Sequence, residues 1–506
     1  MPFVNHPLLK PEAIEEREYQ KNILATALNR NTLCVLPTGT GKTAIAVLLA
    51  TERLQRFPDS RALIMAPTRP LCAQHQKAFQ NAFNLPEEDI ILITGKIPPP
   101  ARARFYKTAR IIVSTPQCIE HDLANGILDL KGYSVLVVDE CHRSTKKYAY
   151  PAVAKAYVKD ASNPRILGLT ASPGSDEAKI NEIRKNLSIE AVEIRTETDT
   201  DVTPYVKEIE TEWVKVDLPQ WMKDAQTSLK GVLKDTLDNL KRYDLNIRSK
   251  KDVLLAQKQA QRELQADRNP ICFHILAQLA TVMKVWHALE LLETQSLAAT
   301  RLYFIKLTED DTKSAKRLLA NPKITSVIQT VEGMYDQGAE HPKMRALAET
   351  VSKQLLANPK IKIIVFSHYR DNIERIRKVL DRIEGCRPAV LIGQAGTKGM
   401  SQKEQIDVIR DYNVDVYNCL IGSPVSEEGL HVPSADVAIF YEPVPSEIRM
   451  IQRRGRVGRT KIGRIIFLLT KGTRDEVYYY IAKRKEAAMK EILKDMQEEN
   501  GLRDFV

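Results

Sequence analysis

Residues 32–43 of the chain read TLCVLPTGTGKT. An apolar run leads into a turn with two glycines and ends in Lys42 and Thr43, which is the arrangement of a phosphate loop between a strand and a helix. A leucine stands where the longer form of this motif has its first glycine, so the loop has the compact T-G-x-G-K-T form. Gly39 and Gly41 let backbone N–H groups close around a phosphate, and the following helix N-terminus adds its positive dipole. The stretch therefore predicts a nucleoside triphosphate site.

An acidic pair at the end of a later apolar run, VLVVDECH, complements this loop. In such a site Lys42 neutralises the β- and γ-phosphates of ATP, and Thr43 binds Mg²⁺. We expect Asp139 to hold the same ion, directly or through water, and Glu140 to orient or deprotonate the attacking water. The loop residues assigned to the nucleotide are Pro37, Thr38, Gly39, Thr40, Gly41, Lys42 and Thr43.

Short apolar runs recur on both sides of the phosphate loop. They are rich in Val, Ile and Leu, and their continuity is typical of strands buried on both faces of a parallel sheet. The first series is TLCVLPT, RALIMAP, DIILITG, ARIIVST, YSVLVVDE and RILGLTAS. The second series is KIIVFSHYR, PAVLIG, VYNCLIGS, DVAIFYEP and GRIIFLLT. Two doubly wound α/β domains follow, with ligands at the carboxyl ends of the strands.

The chain between the two series has a helical pattern. After one possible strand, TEWVKVDLP, long amphipathic segments follow, of which FHILAQLATVMKVWHALELLETQ has a continuous apolar stripe. We therefore predict two doubly wound parallel-sheet domains with an all-helical insertion domain between them. The predicted boundaries are 1–204 for the first α/β domain, 205–341 for the insertion, and 342–506 for the second α/β domain with a charged terminal helix.

Composition restricts the class of protein. A chain of 506 residues needs more than one hydrophobic core, and 43% hydrophobic with 27% charged residues is ordinary for a globular protein. The net charge of +11 suits a polyanionic partner. The seven cysteines form no C-x-x-C pair, the N-terminal segment has no apolar signal core, and no uncharged apolar run reaches the ~18 residues that span a bilayer. We expect an intracellular, cytoplasmic protein that binds no membrane.

An arginine-rich segment, IQRRGRVGR, follows a strand of the second series. A solvated basic turn is one interpretation of such a charge run. The other is that Arg456 and Arg459 reach the γ-phosphate across the cleft between the two domains as arginine fingers, because the first domain's motifs supply no guanidinium there. A site completed only when two domains meet converts hydrolysis into motion.

The complete set of motifs resembles that of superfamily 2 helicases and translocases. The set comprises REYQ (Arg17–Gln20), PTGTGKT, APTRPL (Ala66–Leu71), TG (Thr94–Gly95), STPQ (Ser114–Gln117), DECH, TAS (Thr170–Ser172), IVFSHYR (Ile364–Arg370), GSPVSEEGL (Gly422–Leu430) and QRRGRVGR. Finer details, GLTASPGS, DVTPYVK, HPKM and GMSQKEQ, resemble the archaeal Hef helicases and the Fanconi-anaemia group M translocases. The resemblance implies RecA-like motor domains, ATP hydrolysis with Mg²⁺, and action on forked or branched DNA in replication-fork repair.

The resemblance also implies roles for individual positions. Gln20 would contact adenine with Arg17 nearby, Gln452 would lie near the γ-phosphate, and Gly429 and His431 would lie near the nucleotide sugar. The implied contacts to strand phosphates are Thr68, Arg69, Thr94, Gly95, Thr115, Gln117, Ser367, Arg370 and Ser423. The residues implied to couple hydrolysis to strand binding are His142, Thr170 and Ser172.

Two departures from the family pattern concern the second domain and the end of the chain. His431 stands where the family has an acid near the sugar, so we expect a weaker or pH-dependent ribose contact. Fuller Hef proteins carry an E-R-K-x-x-x-D nuclease signature, which is not found before Val506, so no nuclease activity is expected of these residues.

A basic stretch in the insertion includes Lys250 and Lys251. It is either a solvated helix face or a contact to duplex phosphates beside a fork. The motor motifs do not read the 2′-hydroxyl, so an ATPase directed by duplex RNA, like the Dicer and innate-sensor helicases, stays an alternative. A further alternative is an ATP-gated clamp that binds nucleic acid without unwinding it.

Overall fold

The computed structural model of the chain describes residues 2–145, 148–205, 209–267, 270–393, 399–423, 435–443, 451 and 463–502. Within these residues the chain forms two sheets with helices on their faces and a helical bundle between them. The strand pairings within both sheets are parallel. The predicted fold class, two doubly wound parallel-sheet domains with a helical insertion, is confirmed.

The first domain has a seven-stranded sheet in the order β3-β4-β2-β5-β6-β1-β7. Its strands are β1 (Thr32–Val35), β2 (Arg61–Met65), β3 (Ile90–Ile93), β4 (Ile111–Ser114), β5 (Tyr133–Asp139), β6 (Ile166–Thr170) and β7 (Ala191–Ile194). Its helices are α1 (Glu18–Asn29), α2 (Lys42–Arg56), α3 (Arg69–Ala82), α4 (Pro99–Thr108), α5 (Pro116–Ala124), α6 (Ala149–Asp160) and α7 (Glu177–Asn186). Because β5, β6 and β1 are neighbours and parallel, the acidic pair, Thr170 and the phosphate loop lie at one edge of the sheet.

The insertion and the second domain follow along the chain. The helices of the insertion are α8 (Gln220–Lys241), α9 (Lys250–Asp267), α10 (Pro270–Thr294), α11 (Leu297–Thr308), α12 (Lys313–Leu319) and α13 (Pro322–Asp336). The second sheet has the order β10-β11-β9-β12-β13-β8 and consists of β8 (Ile209–Val216), β9 (Ile363–Phe366), β10 (Pro388–Leu391), β11 (Cys419–Gly422), β12 (Val437–Phe440) and β13 (Gly463–Thr470). Its helices are α14 (Pro342–Ala357), α15 (Arg370–Leu380), α16 (Gln402–Asn413) and α17 (Arg474–Leu502).

Strand β8 differs from the predicted boundaries. We assigned residues 205–341 to the helical insertion, but β8 pairs in parallel with β13 over its whole length and forms an edge of the second sheet. The sequence pattern revealed a strand here without revealing its partner. The chain thus reaches the second domain before it enters the helical bundle, and it returns to that domain through α14.

The terminal helix α17 also extends beyond the domain to which we assigned it. It begins beside β13, yet Met489, Leu493 and Met496 are buried in the core beneath the first sheet. The backbone N–H of Ile194, in β7, donates to Oε1 of Gln497 at 3.0 Å. The helix therefore spans both motor domains.

Helix α10 is the central helix of the insertion. Most of the predicted stripe is buried, with Leu279, Val282, Leu289 and Leu292 all at most 2% exposed. Among the described residues, α10 is the one helix whose length and composition would allow it to cross a membrane. Of its most apolar stretch of residues, 56% is buried inside the protein. Its packing against α8 and α9 accounts for that apolar character without a membrane.

A buried ion pair joins the start of α14 to the start of α17. Nζ of Lys343 lies 2.8 Å from Oδ2 of Asp475, and both side chains are at most 1% exposed. Nζ also donates to the carbonyl oxygen of Tyr441 at 2.9 Å, and the backbone N–H of Thr470 donates to the Asp475 carboxylate at 3.0 Å. Hydrogen bonds of this kind are what makes a buried charge pair tolerable.

His341 caps α14 and connects it to the insertion. Its Nδ1 accepts from the backbone N–H of Lys343 at 3.2 Å, and its Nε2 lies 3.1 Å from the carbonyl oxygen of Glu293 in α10. This pair of bonds requires the neutral ring with the proton on Nε2. Burial lowers the pKa of His341 well below its ordinary value, and the neighbouring charge of Lys343 lowers it further.

We predict that the described fold loses stability as the pH falls below about 6.5, the ordinary histidine value. In the unfolded chain His341 takes up a proton near that pH, whereas the folded chain resists protonation, so acid favours unfolding. Urea unfolding midpoints at pH 7.5 and pH 5.5 measure the effect. The variant His341→Asn keeps a capping side chain without a titrating group. If its midpoint falls with pH as steeply as that of the natural chain, His341 is not the source.

Candidate functional site

The phosphate loop is folded around Lys42. Gly39 and Gly41 have φ values of 87° and 85°, a left-handed conformation that a side chain would strain. The Thr40 hydroxyl donates to the carbonyl oxygen of Pro37 at 2.7 Å and closes the turn. Nζ of Lys42 donates to the carbonyl oxygens of Leu36 and Pro37 at 3.0 and 3.1 Å. The ammonium group thus lies inside the loop, where a phosphate would be bound.

Gln20 lies against this loop. A Cβ atom at Gly41 would be 2.6 Å from Nε2 of Gln20, and that amide is 3.4 Å from the carbonyl oxygen of Thr40. The Tyr19 hydroxyl also donates to Thr40. Gln20 is 2% exposed, so in this structure it supports the loop, and its predicted contact with adenine stays a prediction.

Arg17 lies beside an aromatic pair, Tyr19 and Tyr205, for which no role was predicted from the sequence. Its guanidinium is 5.3 Å from the ring centroid of Tyr205, and the Tyr205 ring packs edge-on against Tyr19 at 5.7 Å. Tyr205 belongs to the DVTPYVK stretch. An aromatic residue among polar ones is the feature of the sequence that could have indicated a role for it. The role of Arg17 near adenine is likewise still a prediction.

Asp139 is a buried carboxylate held in one orientation. Its Oδ2 is 2.8 Å from Nε2 of His75, on α3, and its Oδ1 accepts from the backbone N–H of Glu140 at 2.9 Å. Burial by itself would raise the pKa of Asp139, but the His75 hydrogen bond and the charge of Lys42 outweigh burial and keep the pKa below its ordinary value. The carboxylate is therefore ionised next to the phosphate loop. His75 carries no motif of its own, so no role was predicted for it from the sequence.

Glu140 has an unusual backbone. Its φ of 49° and ψ of 46° are left-handed, which costs about 1–2 kcal/mol for a residue with a side chain. Strain of this kind collects at functional sites. In this backbone conformation the Glu140 carboxylate lies near His142, whose Nδ1 is 3.2 Å from Oε2 of Glu140.

The three residues predicted to couple hydrolysis to strand binding lie together. Nδ1 of His142 is 3.1 Å from the Thr170 hydroxyl, which in turn donates to the carbonyl oxygen of Ser172 at 3.0 Å. The Ser172 hydroxyl donates to the sulfur of Met489 in α17 at 2.9 Å. A line of contacts thus leads from the acidic pair to the terminal helix.

The donor set fits a magnesium ion that also binds phosphates. The described residues contain no cluster of three His, Cys, Asp or Glu side chains that could hold a metal alone. Mg²⁺ in phosphoryl-transfer sites characteristically takes one or two protein ligands and completes its shell with phosphate and water. An ionised Asp139 and the hydroxyl of Thr43, on the first turn of α2, match that requirement.

The predicted strand contacts of the first domain lie at one edge of the sheet. Thr68 and Arg69 follow β2, Thr94 and Gly95 follow β3, and Thr115 and Gln117 follow β4. Since β3, β4 and β2 are adjacent and parallel, these segments are neighbours. Within the described residues the buried Oγ1 of Thr68 has no hydrogen-bond partner.

The second-domain candidates differ in accessibility. Ser367 is fully buried, and its hydroxyl lies between Glu442 and Asn372 at 3.3 and 3.1 Å, so it is not available to a strand in this structure. Arg370 begins α15 with Nη2 3.4 Å from the Gly393 carbonyl oxygen, and Ser423 is buried after β11.

The second half of the predicted ATP site lies outside the described residues. This applies to Gly429, His431, Gln452, Arg456 and Arg459. The first residue of the stretch IQRRGRVGR, Ile451, is described. It lines a cavity together with Leu36, Pro37, Thr38 and Met489, next to the phosphate loop.

The two lysines predicted to contact duplex phosphates, Lys250 and Lys251, have different surroundings in the structure. Nζ of Lys250 is 2.7 Å from Oε2 of Glu290 in α10, so Lys250 holds α9 to α10. Lys251 is exposed on the same helix. The pairing weakens the predicted phosphate contact of Lys250 and leaves that of Lys251 untested.

Three family models match the chain. Residues 17–180 match the DEAD/DEAH box helicase, and residues 343–461 match the helicase conserved C-terminal domain. Residues 221–334 match the helical bundle of a family provisionally named ATP-dependent RNA helicase. The three matches fall within the first domain, the second domain and the insertion, respectively.

Individual proteins resemble the chain over nearly its whole length. A crystal structure of the Pyrococcus furiosus Hef helicase domain is 42% identical with a TM-score of 0.75, and the match covers 94% of this chain and 99% of that one. A protein of Methanocaldococcus jannaschii, provisionally named ATP-dependent RNA helicase, is 41% identical over 98% of this chain and 63% of its own length. The ATP-dependent DNA helicase fml1 of Schizosaccharomyces pombe is 32% identical over 91% of this chain and 58% of its own length. The chain thus spans less than two thirds of the curated relatives' length.

Proposed function

Because the chain belongs to the DEAD/DEAH box helicases of superfamily 2, we propose that it is an ATP hydrolase that drives movement along forked or branched DNA. The observation that carries this proposal is the line of contacts from Glu140 through His142, Thr170 and Ser172 to Met489. Met489 belongs to α17, which is anchored in the second domain by Asp475. A change at the hydrolytic centre can therefore move one motor domain relative to the other.

In the proposed reaction, Lys42 binds the β- and γ-phosphates and Glu140 orients or deprotonates the attacking water. Mg²⁺, when held by Asp139 and Thr43, would neutralise charge on the phosphate oxygens. Arg456 and Arg459 would approach the γ-phosphate from the second domain, and Gln452 would lie near it. The position of Ile451 beside the phosphate loop supports that approach.

The proposed strand path runs along the edge formed by the ends of β2, β3 and β4. Hydroxyl groups, backbone N–H groups and a guanidinium are the donors that bind phosphates without reading sequence. Thr68, Arg69 and Thr115 supply such donors. An exposed lysine on α9, Lys251, would contact a duplex arm. For this chain we propose the cytoplasm, in association with the nucleoid, as the place of action.

Relatives named as DNA helicases support DNA over RNA as the substrate. They include proteins of Neurospora crassa, Schizosaccharomyces pombe and Drosophila melanogaster. The Methanocaldococcus relative carries an RNA name instead, so duplex RNA remains the competing substrate.

The rate of ATP hydrolysis tests this choice when it is measured with forked DNA, linear duplex DNA and duplex RNA at matched salt. We expect forked DNA to stimulate hydrolysis most. Matched salt is necessary because phosphate contacts weaken steeply as salt rises. Faster hydrolysis with duplex RNA would overturn the DNA assignment. Displacement of a labelled strand in the same reactions distinguishes a helicase from an ATP-gated clamp, which would hydrolyse ATP without releasing the strand.

A further inference from the structure

We propose that His75 is a positioning residue that links strand binding at the N-terminus of α3 to the magnesium-binding carboxylate of Asp139. The inference rests on the proposed function, since it assumes that Asp139 binds Mg²⁺ and that Thr68 and Arg69 bind strand phosphates. It adds a residue that no motif marks and a route by which a nucleic acid would change the affinity for nucleotide.

The geometry of the pair is that of an orienting contact. Nε2 of His75 is 2.8 Å from Oδ2 of Asp139, and the two side chains are 6% and 12% exposed. The other carboxylate oxygen accepts from the Glu140 backbone at 2.9 Å. Each oxygen therefore has one fixed donor and keeps a lone pair for a further ligand. Donors in this outer position orient metal-binding carboxylates in other sites.

Packing alone does not call for an imidazole here. Nδ1 of His75 is buried and has no hydrogen-bond partner among the described residues. A buried polar atom without a partner is unfavourable by comparison with an apolar side chain of similar size. A histidine at this buried position is therefore explained if its Nε2–H bond to Asp139 has a function, because an apolar residue could not make that bond.

Helix α3 connects the two predicted sites as one rigid element. Thr68 is its N-cap and Arg69 its first residue, and His75 lies about two turns further along the same helix. A strand phosphate that draws the helix N-terminus toward it must carry His75 with the helix. Within the part of the chain that the structure describes, the His75–Asp139 bond is the side-chain hydrogen bond between α3 and the acidic pair.

The thermodynamic coupling between strand binding and nucleotide binding can be measured without ATP hydrolysis, and it tests the proposal. If strand binding stabilises the arrangement of Asp139 that binds Mg²⁺, a strand must tighten the binding of Mg²⁺ with nucleotide, and nucleotide must tighten the binding of the strand by the same factor. The probes are a fluorescent ADP analogue at a fixed, subsaturating Mg²⁺ concentration and a single-stranded DNA oligonucleotide. The coupling factor is the ratio of the analogue's dissociation constants without and with the oligonucleotide.

Two variants of similar size separate the hydrogen bond from packing. His75→Leu fills the space without a donor, whereas His75→Gln offers an amide N–H to Asp139. We expect the natural chain to have a coupling factor of about five or more, within the usual range for linked sites. In His75→Leu the factor should fall close to one while the oligonucleotide binds normally without nucleotide. His75→Gln should retain most of the coupling.

Gln76→Ala is the matched control on the same helix. The Gln76 amide donates to the carbonyl oxygen of Ile90 at 3.0 Å and holds α3 against β3, away from the acidic pair. Its loss should leave the coupling factor unchanged. The role of His75 is refuted if His75→Leu keeps the natural factor, if His75→Gln loses it equally, or if Gln76→Ala abolishes it. A natural chain that binds neither nucleotide nor oligonucleotide would instead refute the proposed function, and the role of His75 with it.

Discussion

Lys42→Ala should reduce the rate of ATP hydrolysis to background, a loss of about a thousandfold. Nζ of Lys42 lies within the phosphate loop, bonded to the carbonyl oxygens of Leu36 and Pro37, where the β- and γ-phosphates would be bound. Removing one preorganised donor from a catalytic site lowers turnover by about 10²–10³-fold, and a full charge acts more strongly than a neutral donor. The measurement is phosphate release under saturating nucleic acid.

Glu140→Gln should separate binding from hydrolysis at the same site. The amide keeps the size of the side chain but can neither accept a proton nor repel the γ-phosphate, so ATP should bind well and hydrolyse about 10²–10⁴-fold more slowly. Binding of a fluorescent ATP analogue checks the first half. The control is Lys179→Ala, which removes an exposed lysine from α7 in the same domain. Natural turnover in both Lys42→Ala and Glu140→Gln would show that the catalytic centre is elsewhere.

Lys343→Met should produce the largest loss of stability that the described structure predicts. It leaves the Asp475 carboxylate buried without its ammonium partner, which costs about 3–5 kcal/mol in comparable buried pairs. Burial already raises the pKa of Asp475, and the charge of Lys343 opposes that rise. The free energy of unfolding, from urea titration followed by tryptophan fluorescence, gives the size of the effect.

The double variant Lys343→Met/Asp475→Leu provides the matched comparison. It replaces both charges by apolar groups, so most of the lost stability should return, because the uncompensated charge is gone. Arg345→Met, an exposed residue on the same helix, should have little effect. A single Lys343→Met variant as stable as the natural chain, or a double variant as unstable as the single one, would contradict this account of the pair.

The amino-acid sequence was sufficient for the elements that local pattern defines. The apolar runs became strands of the two sheets, and the loop from Pro37 to Thr43 lies between β1 and α2 as its glycines required. The parallel connections then brought Asp139 and Thr170 to the same edge as the loop. Periodicity and turn chemistry act over a few residues, so they can be recognised in a single sequence.

Other predictions depended on neighbours that are distant in the chain. Strand β7 was missed because a short edge strand has a weak pattern. Ser367 is buried against Glu442, so it is not available to a strand in this structure. Lys250 is paired with Glu290, which weakens its predicted contact with a phosphate. A hydroxyl or an ammonium group has the same appearance in a sequence whether it faces solvent, a phosphate or a carboxylate.

Local patterns of residues were enough to predict the phosphate loop, the acidic pair and two parallel sheets with helices between them. The pairing of β8 with β13, the packing of α17 beneath the first sheet and the contact of His75 with Asp139 became known only from the folded chain. The physical reason is that an apolar or polar pattern specifies which side of an element is buried, whereas its partner is chosen by packing across the whole chain. The contacts that we expect to join ATP hydrolysis to movement belong to this second group.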